Sequence, residues 1–338
     1  MNVLVTGGAG YIGSHAVKAL VEAGRDVIVY DDLSAGHRVA VDRLTAWAAS
    51  RGRRVSLVVG DIRDTAMVTK ALLDGEARAV MHFAAWLAVS ESVIDPAGYY
   101  RNNVVGALSV LEAMAHAGVG RFVFSSTCAV FGDPVETPMA ESHPTRPINA
   151  YGETKLAIER ALPHFERAYG LRSVSLRYFN AAGADEEGWL GEDHTPEIHL
   201  IPRAIEASQG GAPLVVFGDD YPTPDGTCQR DYIHVADLAL AHVLALDALE
   251  AGEASAVYNL GNGRAHSVLE VVRTVERVVG RAVPFSVAGR RAGDPAVLFA
   301  SNDRVRRALG WTPRFADLTA IVESAWRWHA RHPRGYED

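Results

Sequence analysis

The segment that most restricts what this chain can fold into lies at its start. An apolar run over residues 3–6 passes without interruption into Gly7-Gly8-Ala9-Gly10-Tyr11-Ile12-Gly13, and a helical pattern over 12–23 follows, closed by Gly24. Glycines at 7, 10 and 13, placed between a buried strand and a helix, permit three things at once. The backbone turns tightly, main-chain N–H groups approach a pyrophosphate closely, and the helix packs hard against the strand. The spacing is G-x-x-G-x-x-G, not the commoner G-x-G-x-x-G. Taken alone, it also suits a glycine-rich turn in an unrelated α/β protein.

The next 170 or so residues repeat the same rhythm. Runs over 26–30, 55–59, 79–83, 122–125 and 174–178 are predominantly apolar with apolar residues at adjacent positions, as strands buried on both faces of a parallel sheet are. Between them lie helical stretches such as 102–117, closed by Gly118, where glycine relieves the left-handed turn past a helix end. This alternation predicts an α/β fold, a Rossmann-like doubly wound parallel sheet. After Tyr178 the rhythm breaks into a Gly-, Asp- and Glu-rich loop over 181–198. Short strands at 214–217, 257–260 and 283–285 and helices at 267–279 and 318–330 then read as a smaller mixed α/β C-terminal substrate domain. The expected division is 1–180 for a nucleotide-binding domain and 181–338 for a substrate domain, with the apolar run 234–250 packing back on the first.

Composition removes other classes. The net charge is −8 with signs interspersed, and no basic face announces nucleic-acid binding. No apolar stretch of membrane-spanning length and no secretory leader are read, so no membrane association is expected and a cytoplasmic location is. Cys128 and Cys228 have no metal-ligand spacing and read as free thiols; no metal is expected.

Asp31 stands at the end of the second strand, 18 residues after Gly13. A carboxylate there accepts from adenosine ribose hydroxyls and repels a 2′-phosphate, which favours NAD over NADP. Asp32 beside it can share that task. Asp61-Ile62 follows the third strand, a position suited to an adenine edge or to an ordinary turn. The chemistry is carried by Tyr151-Gly152-Glu153-Thr154-Lys155. Tyr and Lys four apart share one helix face. Free tyrosine, with a pKa near 10, is too weakly acidic to serve as a base at neutral pH, and a neighbouring ammonium favours its phenolate. Thr127, at the end of the fifth strand, is placed to bond a substrate oxygen and relay a proton. A Y-x-x-x-K pair alone occurs by chance; the order glycine turn, then Thr127, then Tyr151 is what makes it specific.

With those residues in view, the chain resembles the extended short-chain dehydrogenases, and among them the UDP-glucose 4-epimerases. The matching segments are VTGGAGYIGSH at 5–15, GDIRD at 60–64, HFAA at 82–85, NNVVG at 102–106, SSTCAVFG at 125–132, YGETK at 151–155, LRYFN at 176–180, GDDYPTPDGTCQRDYIHVADLA at 218–239, YNLG at 258–261 and RRAGD at 290–294. The N-terminal motifs indicate only the superfamily; the segment around 218–239 is specific to the epimerases. The resemblance implies oxidation at C4 of a UDP-sugar by NAD, rotation of the 4-keto sugar, and reduction on its other face, interconverting UDP-glucose and UDP-galactose. Tyr151 would take the 4-hydroxyl proton, Lys155 would hold the nicotinamide ribose, and Thr127 would bond the 4-oxygen. Gly7, Gly10, Tyr11, Ile12, Gly13, Asp31, Asp61, Ile62, Phe83 and Asn102 would surround NAD. Tyr178, Asn180, His199, Leu200, Phe217, Arg230, Arg291, Asp294 and Leu298 would line the UDP-sugar. Guanidinium forks such as Arg230 and Arg291 suit a diphosphate independently of any resemblance. A homodimer paired through helices around 97–116 and 152–169 is also implied.

Three positions depart from the family pattern. Leu87 stands where some members have lysine. His199 replaces a frequent asparagine, and suits either a substrate contact or a plain core histidine. Leu298 replaces a bulky tyrosine, which implies some turnover of UDP-N-acetylglucosamine. A sugar dehydratase would need an acid and a base directly after the active-site Thr, where Cys128 and Ala129 stand. Other UDP-sugar 4-epimerases, acting on N-acetylglucosamine, xylose, arabinose or glucuronate, remain open, as does a non-catalytic NAD sensor.

Overall fold

The structure is a computed structural model and describes residues 1–291 and 294–337. The first half runs β1 (Asn2–Thr6), α1 (Tyr11–Glu22), β2 (Asp26–Asp31), α2 (Arg38–Ala49), β3 (Val55–Val59), α3 (Thr65–Asp74), β4 (Ala77–His82), α4 (Val89–Ile94), α5 (Pro96–Tyr99), α6 (Gly106–Ala117), β5 (Arg121–Thr127), α7 (Ala150–Tyr169) and β6 (Arg172–Tyr178). The second half runs β7 (Asn180–Ala182), α8 (Leu200–Ser208), β8 (Leu214–Phe217), β9 (Gln229–His234), α9 (Val235–Glu250), β10 (Ala256–Leu260), β11 (Ala265–Ser267), α10 (Val268–Val279), β12 (Phe285–Ala288), β13 (Val297–Leu298), α11 (Asp303–Leu309) and α12 (Leu318–Arg331).

Seven strands form one sheet in the order β10-β6-β5-β4-β1-β2-β3, and every pairing in it is parallel. The strand order reverses between β1 and β4, and a ligand binds at such a switch point, beyond the carboxyl ends of the strands. Alternation explains the continuous apolar runs. Val3 and Val5 face a core shared with Val17 and Leu20 of α1 and Leu238 and Leu246 of α9. Leu4 faces the opposite core, with Leu72 of α3, Val110 of α6 and Ile158 of α7. Each face is sealed by helices, so no strand position needs to be polar.

Two departures from the sequence reading have clear causes. Residues 257–260, expected in the second region, instead extend the first sheet as β10 beside β6. The chain returns through α9, whose largely apolar surface is buried in the same core as that sheet face. The helix expected over 102–117 begins with a π-helical turn, Tyr100–Val105, before α6. The wider turn accommodates Asn103, which is buried with its amide nitrogen donating to the Trp86 carbonyl at 3.0 Å and to Thr154 Oγ1 at 3.2 Å.

The second lobe holds a small sheet in which β9 pairs with β11, β13 and β7, and a separate β12–β8 pair. Its core lies among α8, α10 and α12. Because β7 directly follows β6, this lobe hangs over the carboxyl ends of the large sheet.

Candidate active site

The glycine turn is shaped by close approach. Gly7 has φ +70°, and a Cβ on it would lie 2.5 Å from Ala84 N; one on Gly13 would lie 2.0 Å from the Gly7 carbonyl oxygen. Any side chain at either position would push β1, β4 and α1 apart. Gly10 precedes α1 without a side-chain cap, and no acidic residue stands in the helix's first turn. The helix therefore presents uncapped N–H groups and positive dipole toward the turn, which suits a pyrophosphate. Tyr11 donates to the Gly183 carbonyl at 2.6 Å, tying the turn to the second lobe, and Ile12 packs into the core beneath it. Asp31 accepts from Ala9 N and Leu33 N, both at 2.9 Å. Burial raises its carboxyl, opposed by those two N–H groups. Asp32 instead bonds Ser34 in an exposed turn. These features fit a dinucleotide whose adenosine ribose lies at Asp31.

The remaining expected cofactor residues differ in character. Asp61 is engaged by Arg63, whose side-chain hydrogen bonds hold it below the ordinary carboxylate range. Ile62 is buried, and a Cβ on Gly106 would meet it at 2.5 Å. Phe83 lies just beyond β4, its N–H donating to Thr6 O at 2.9 Å and its ring 4.6 Å from the His242 ring. Asn102 donates to Asn103 Oδ1 at 3.1 Å.

At the ends of β5 and β6 the chemical residues meet. Asn149 caps α7 through Gly152 N at 2.9 Å, so Tyr151 and Lys155 enter the helix's first two turns on one face. Lys155 is 2% exposed and donates to the Ser125 carbonyl at 2.8 Å. Its ammonium lies 6.0 Å from the Tyr151 ring centroid. Burial pushes this amine down to about 7, against the pull of Glu159. Burial also drives the Tyr151 phenol far above 10, while a hydrogen bond with Thr127 draws it back. The depressed phenol expected from the Tyr–Lys pair is thus not a property of the protein alone: burial outweighs an ammonium committed to Ser125. Tyr178 stands opposite Thr127 in the β5–β6 register, and its hydroxyl pairs with Ser125 Oγ.

Sequence reasoning missed what supports this cluster. Glu159, one turn beyond Lys155, receives Arg177 Nε at 3.0 Å and Nη2 at 2.5 Å, and Ser126 Oγ at 2.5 Å. Both members of the ion pair are buried. A buried arginine near the end of β6, and an acid on the lysine's own helix face, were the available signals.

The second lobe brings the expected substrate residues into three groups. Arg230 on β9 pairs with Asp294 and lies opposite Leu298 of β13, while Asn180 donates to the Asp231 carbonyl at 2.8 Å. Arg291 stacks 3.7 Å over the Phe217 ring. Leu200 opens α8 with His199 as its N-cap residue, and His199 Nδ1 lies 2.7 Å from Glu192. Leu87 is exposed.

Comparison with known proteins agrees with this architecture. Residues 3–261 match the NAD dependent epimerase/dehydratase family. The UDP-glucose 4-epimerase of Halalkalibacterium halodurans is 49% identical, over 99% of this chain and 98% of that protein. A crystal structure of UDP-glucose 4-epimerase from Brucella ovis in complex with NAD superposes with a TM-score of 0.91 at 48% identity, covering 96% of this chain and 97% of that one. The Stenotrophomonas maltophila enzyme with bound NAD and formylated UDP-arabinopyranose gives 0.94 at 41% identity, covering 99% of each chain. A seven-stranded parallel sheet ending in a glycine turn, with a Tyr–Lys helix at its carboxyl edge, and full-length identity near one half together place this chain in the NAD dependent epimerase/dehydratase family, among its UDP-glucose 4-epimerases.

Proposed function

We propose that this chain interconverts UDP-glucose and UDP-galactose in the cytoplasm, as a homodimer, with NAD held throughout. The observation that carries the reading is the convergence of Thr127, Tyr151 and Lys155 at the carboxyl ends of the sheet, the end at which β1 passes into the glycine turn. Bound NAD supplies the acceptor and later donor of the C4 hydride, and a positive ring that favours the Tyr151 phenolate.

The residues of the chain do the rest. Thr127 hydrogen-bonds Tyr151 and accepts Ala129 N at 3.2 Å, so its hydroxyl is oriented to bond the sugar 4-oxygen. Tyr151 takes the 4-hydroxyl proton and returns it from the same atom. Lys155, anchored on Ser125, holds the nicotinamide ribose and contributes positive charge near the phenol. Rotation of the flat 4-keto sugar requires that the hexose be weakly held. Binding free energy must then come from the remote nucleotide and diphosphate, the role given to Arg230, Arg291, Phe217 and the start of α8. The reaction leaves no net redox change, so no dinucleotide needs to leave between turnovers.

The homodimer is supported by exposed apolar side chains along α4 to α6, including Val93 (67% exposed), Ile94 (84%), Tyr100, Val105 and Leu108. Contiguous exposure of this kind marks an interaction face. The reducing location is supported by two free cysteines. Among the described residues no helix is long and apolar enough to cross a membrane.

The decisive experiment incubates the purified protein with UDP-galactose and no added NAD. Appearance of UDP-glucose over many turnovers is the expected result. A requirement for one fresh dinucleotide per sugar converted would overturn the reading.

A further inference from the structure

We propose that Glu192, His194, Glu197 and His199 form a binding site for a divalent transition cation of the Zn2+ type, on the loop joining β7 to α8. One ligand atom from each of the four lies within 4.8 Å of the others. His199 Nδ1 is 2.7 Å from Glu192 Oε1 and 3.2 Å from Glu197 Oε1. His194 Nδ1 is 3.3 Å from the same Glu192 oxygen and 3.5 Å from Glu197 Oε2. Four donors around one tetrahedral ion with bonds of about 2.1 Å stand about 3.4 Å apart. Three of the four His–Glu separations, taken over both Glu197 oxygens, lie within about 0.2 Å of that edge length, and the fourth, at 2.7 Å, is shorter.

The alternative arrangement is two plain His–Glu ion pairs. It leaves the Glu192–His194 half of the site poorly satisfied, whereas Glu197 Oε1 accepts from Ile198 N at 2.7 Å, His199 N at 2.8 Å and His199 Nδ1 at 3.2 Å. Glu192 is 4% exposed, and neither its Oε1 nor His194 Nδ1 makes a hydrogen bond of acceptable geometry, although their neighbours are close. Short separation without alignment is what a central point charge tolerates and an N–H···O bond does not. The two imidazoles are also neighbours, with centroids 5.2 Å apart, so protonating both sets like charges side by side. A dication answers the charge of the two little-exposed carboxylates, Glu192 and Glu197, with one particle. Two imidazole nitrogens and two carboxylate oxygens suit Zn2+, Co2+ or Ni2+ better than Mg2+ or Ca2+, which prefer oxygen alone.

The loop is a good platform for such a site. The Glu192 carbonyl accepts Trp328 Nε1 of α12 at 3.0 Å, and the Tyr11 ring lies edge-on to His194 at 6.3 Å. His199 is the residue preceding α8. The ion would therefore brace the glycine turn, the C-terminal helix and the start of α8 against one another, a structural role that involves no step of the sugar chemistry.

Untagged protein dialysed against a chelator and titrated with Co2+ tests this. One ion should bind per chain, with the visible absorption of a four-coordinate N/O site, and one equivalent of Zn2+ should bleach it. His194→Gln and Glu197→Gln should each weaken Co2+ binding by at least about tenfold. His266→Gln, which removes the separate His266–Glu270 pair, should leave it unchanged. Absence of saturable Co2+ binding to the native protein, or binding that survives either ligand substitution, would overturn the proposal. If His194→Gln fails to fold by far-ultraviolet circular dichroism, the native titration and Glu197→Gln decide the matter.

Discussion

On the sheet side of the site, the chemical groups are held by partners that belong to the sheet and its flanking helix. Lys155 is anchored on Ser125 O, Tyr178 on Ser125 Oγ, and the helix carrying Tyr151 is fixed by the buried Glu159–Arg177 pair. On the facing side, the cationic groups are engaged with neighbours that a ligand can replace: Arg230 with the half-buried Asp294, and Arg291 with the Phe217 ring. The contrast follows from what each side must do. Proton transfer demands atoms placed within a few tenths of an ångström before substrate arrives. Diphosphate binding is a matter of charge, and a guanidinium can exchange one partner for another.

The largest effect that would sharpen this contrast is on the sheet side. Tyr151→Phe is expected to lower turnover of UDP-galactose by about 10²- to 10⁴-fold, the usual contribution of a general acid–base, while bound dinucleotide measured by absorbance stays stoichiometric. A merely NAD-sensing protein would be indifferent. Next, Glu159→Ala leaves Arg177 buried without a counter-charge, and stability in urea unfolding should fall by about 3–5 kcal/mol. A loss under about 1 kcal/mol would mean that this pair does not stiffen the sheet side. On the facing side, Arg291→Ala removes a charge-assisted contact worth about 1.5–3 kcal/mol. KM for UDP-galactose should rise roughly 10- to 100-fold with kcat nearly unchanged. If kcat falls as steeply as for Tyr151→Phe, the division of labour between the two sides is wrong. The smallest effect concerns specificity. Leu298 packs at the edge of a cluster with Phe131, Met139 and Phe179, and Leu298→Tyr should cut turnover of UDP-N-acetylglucosamine relative to UDP-glucose by about tenfold. Native activity on the N-acetylated sugar below a thousandth of that on UDP-glucose would remove the basis of this expectation.

How far the residues themselves disclosed the molecule depends on how local each feature is. The glycine turn was legible because its spacing encodes close approaches between residues few positions apart, such as Gly13 and Gly7. The Tyr151–Lys155 face was legible because helix periodicity alone sets it. The strand β10 was legible but its place in the first sheet was not, because its partners in β6 lie 82 positions earlier and only the packing of α9 brings the two together. Asn103 was hidden for a similar reason: a π-helical turn redirects it inward to Trp86 and Thr154, and nothing in the helical pattern distinguishes that turn. The Glu192–His199 cluster carried no familiar ligand spacing, and its donors converge through the path of a loop.

What the order of amino acids determined by itself is the alternation of buried strands and helices, the phosphate-binding turn and the chemical identity of the acid–base pair, since each depends on contacts within one element or one turn. Only the tertiary structure decided the protonation of that pair. Burial raises Tyr151 and lowers Lys155, because the cost of a charge is set by all that surrounds it and not by its neighbours along the chain.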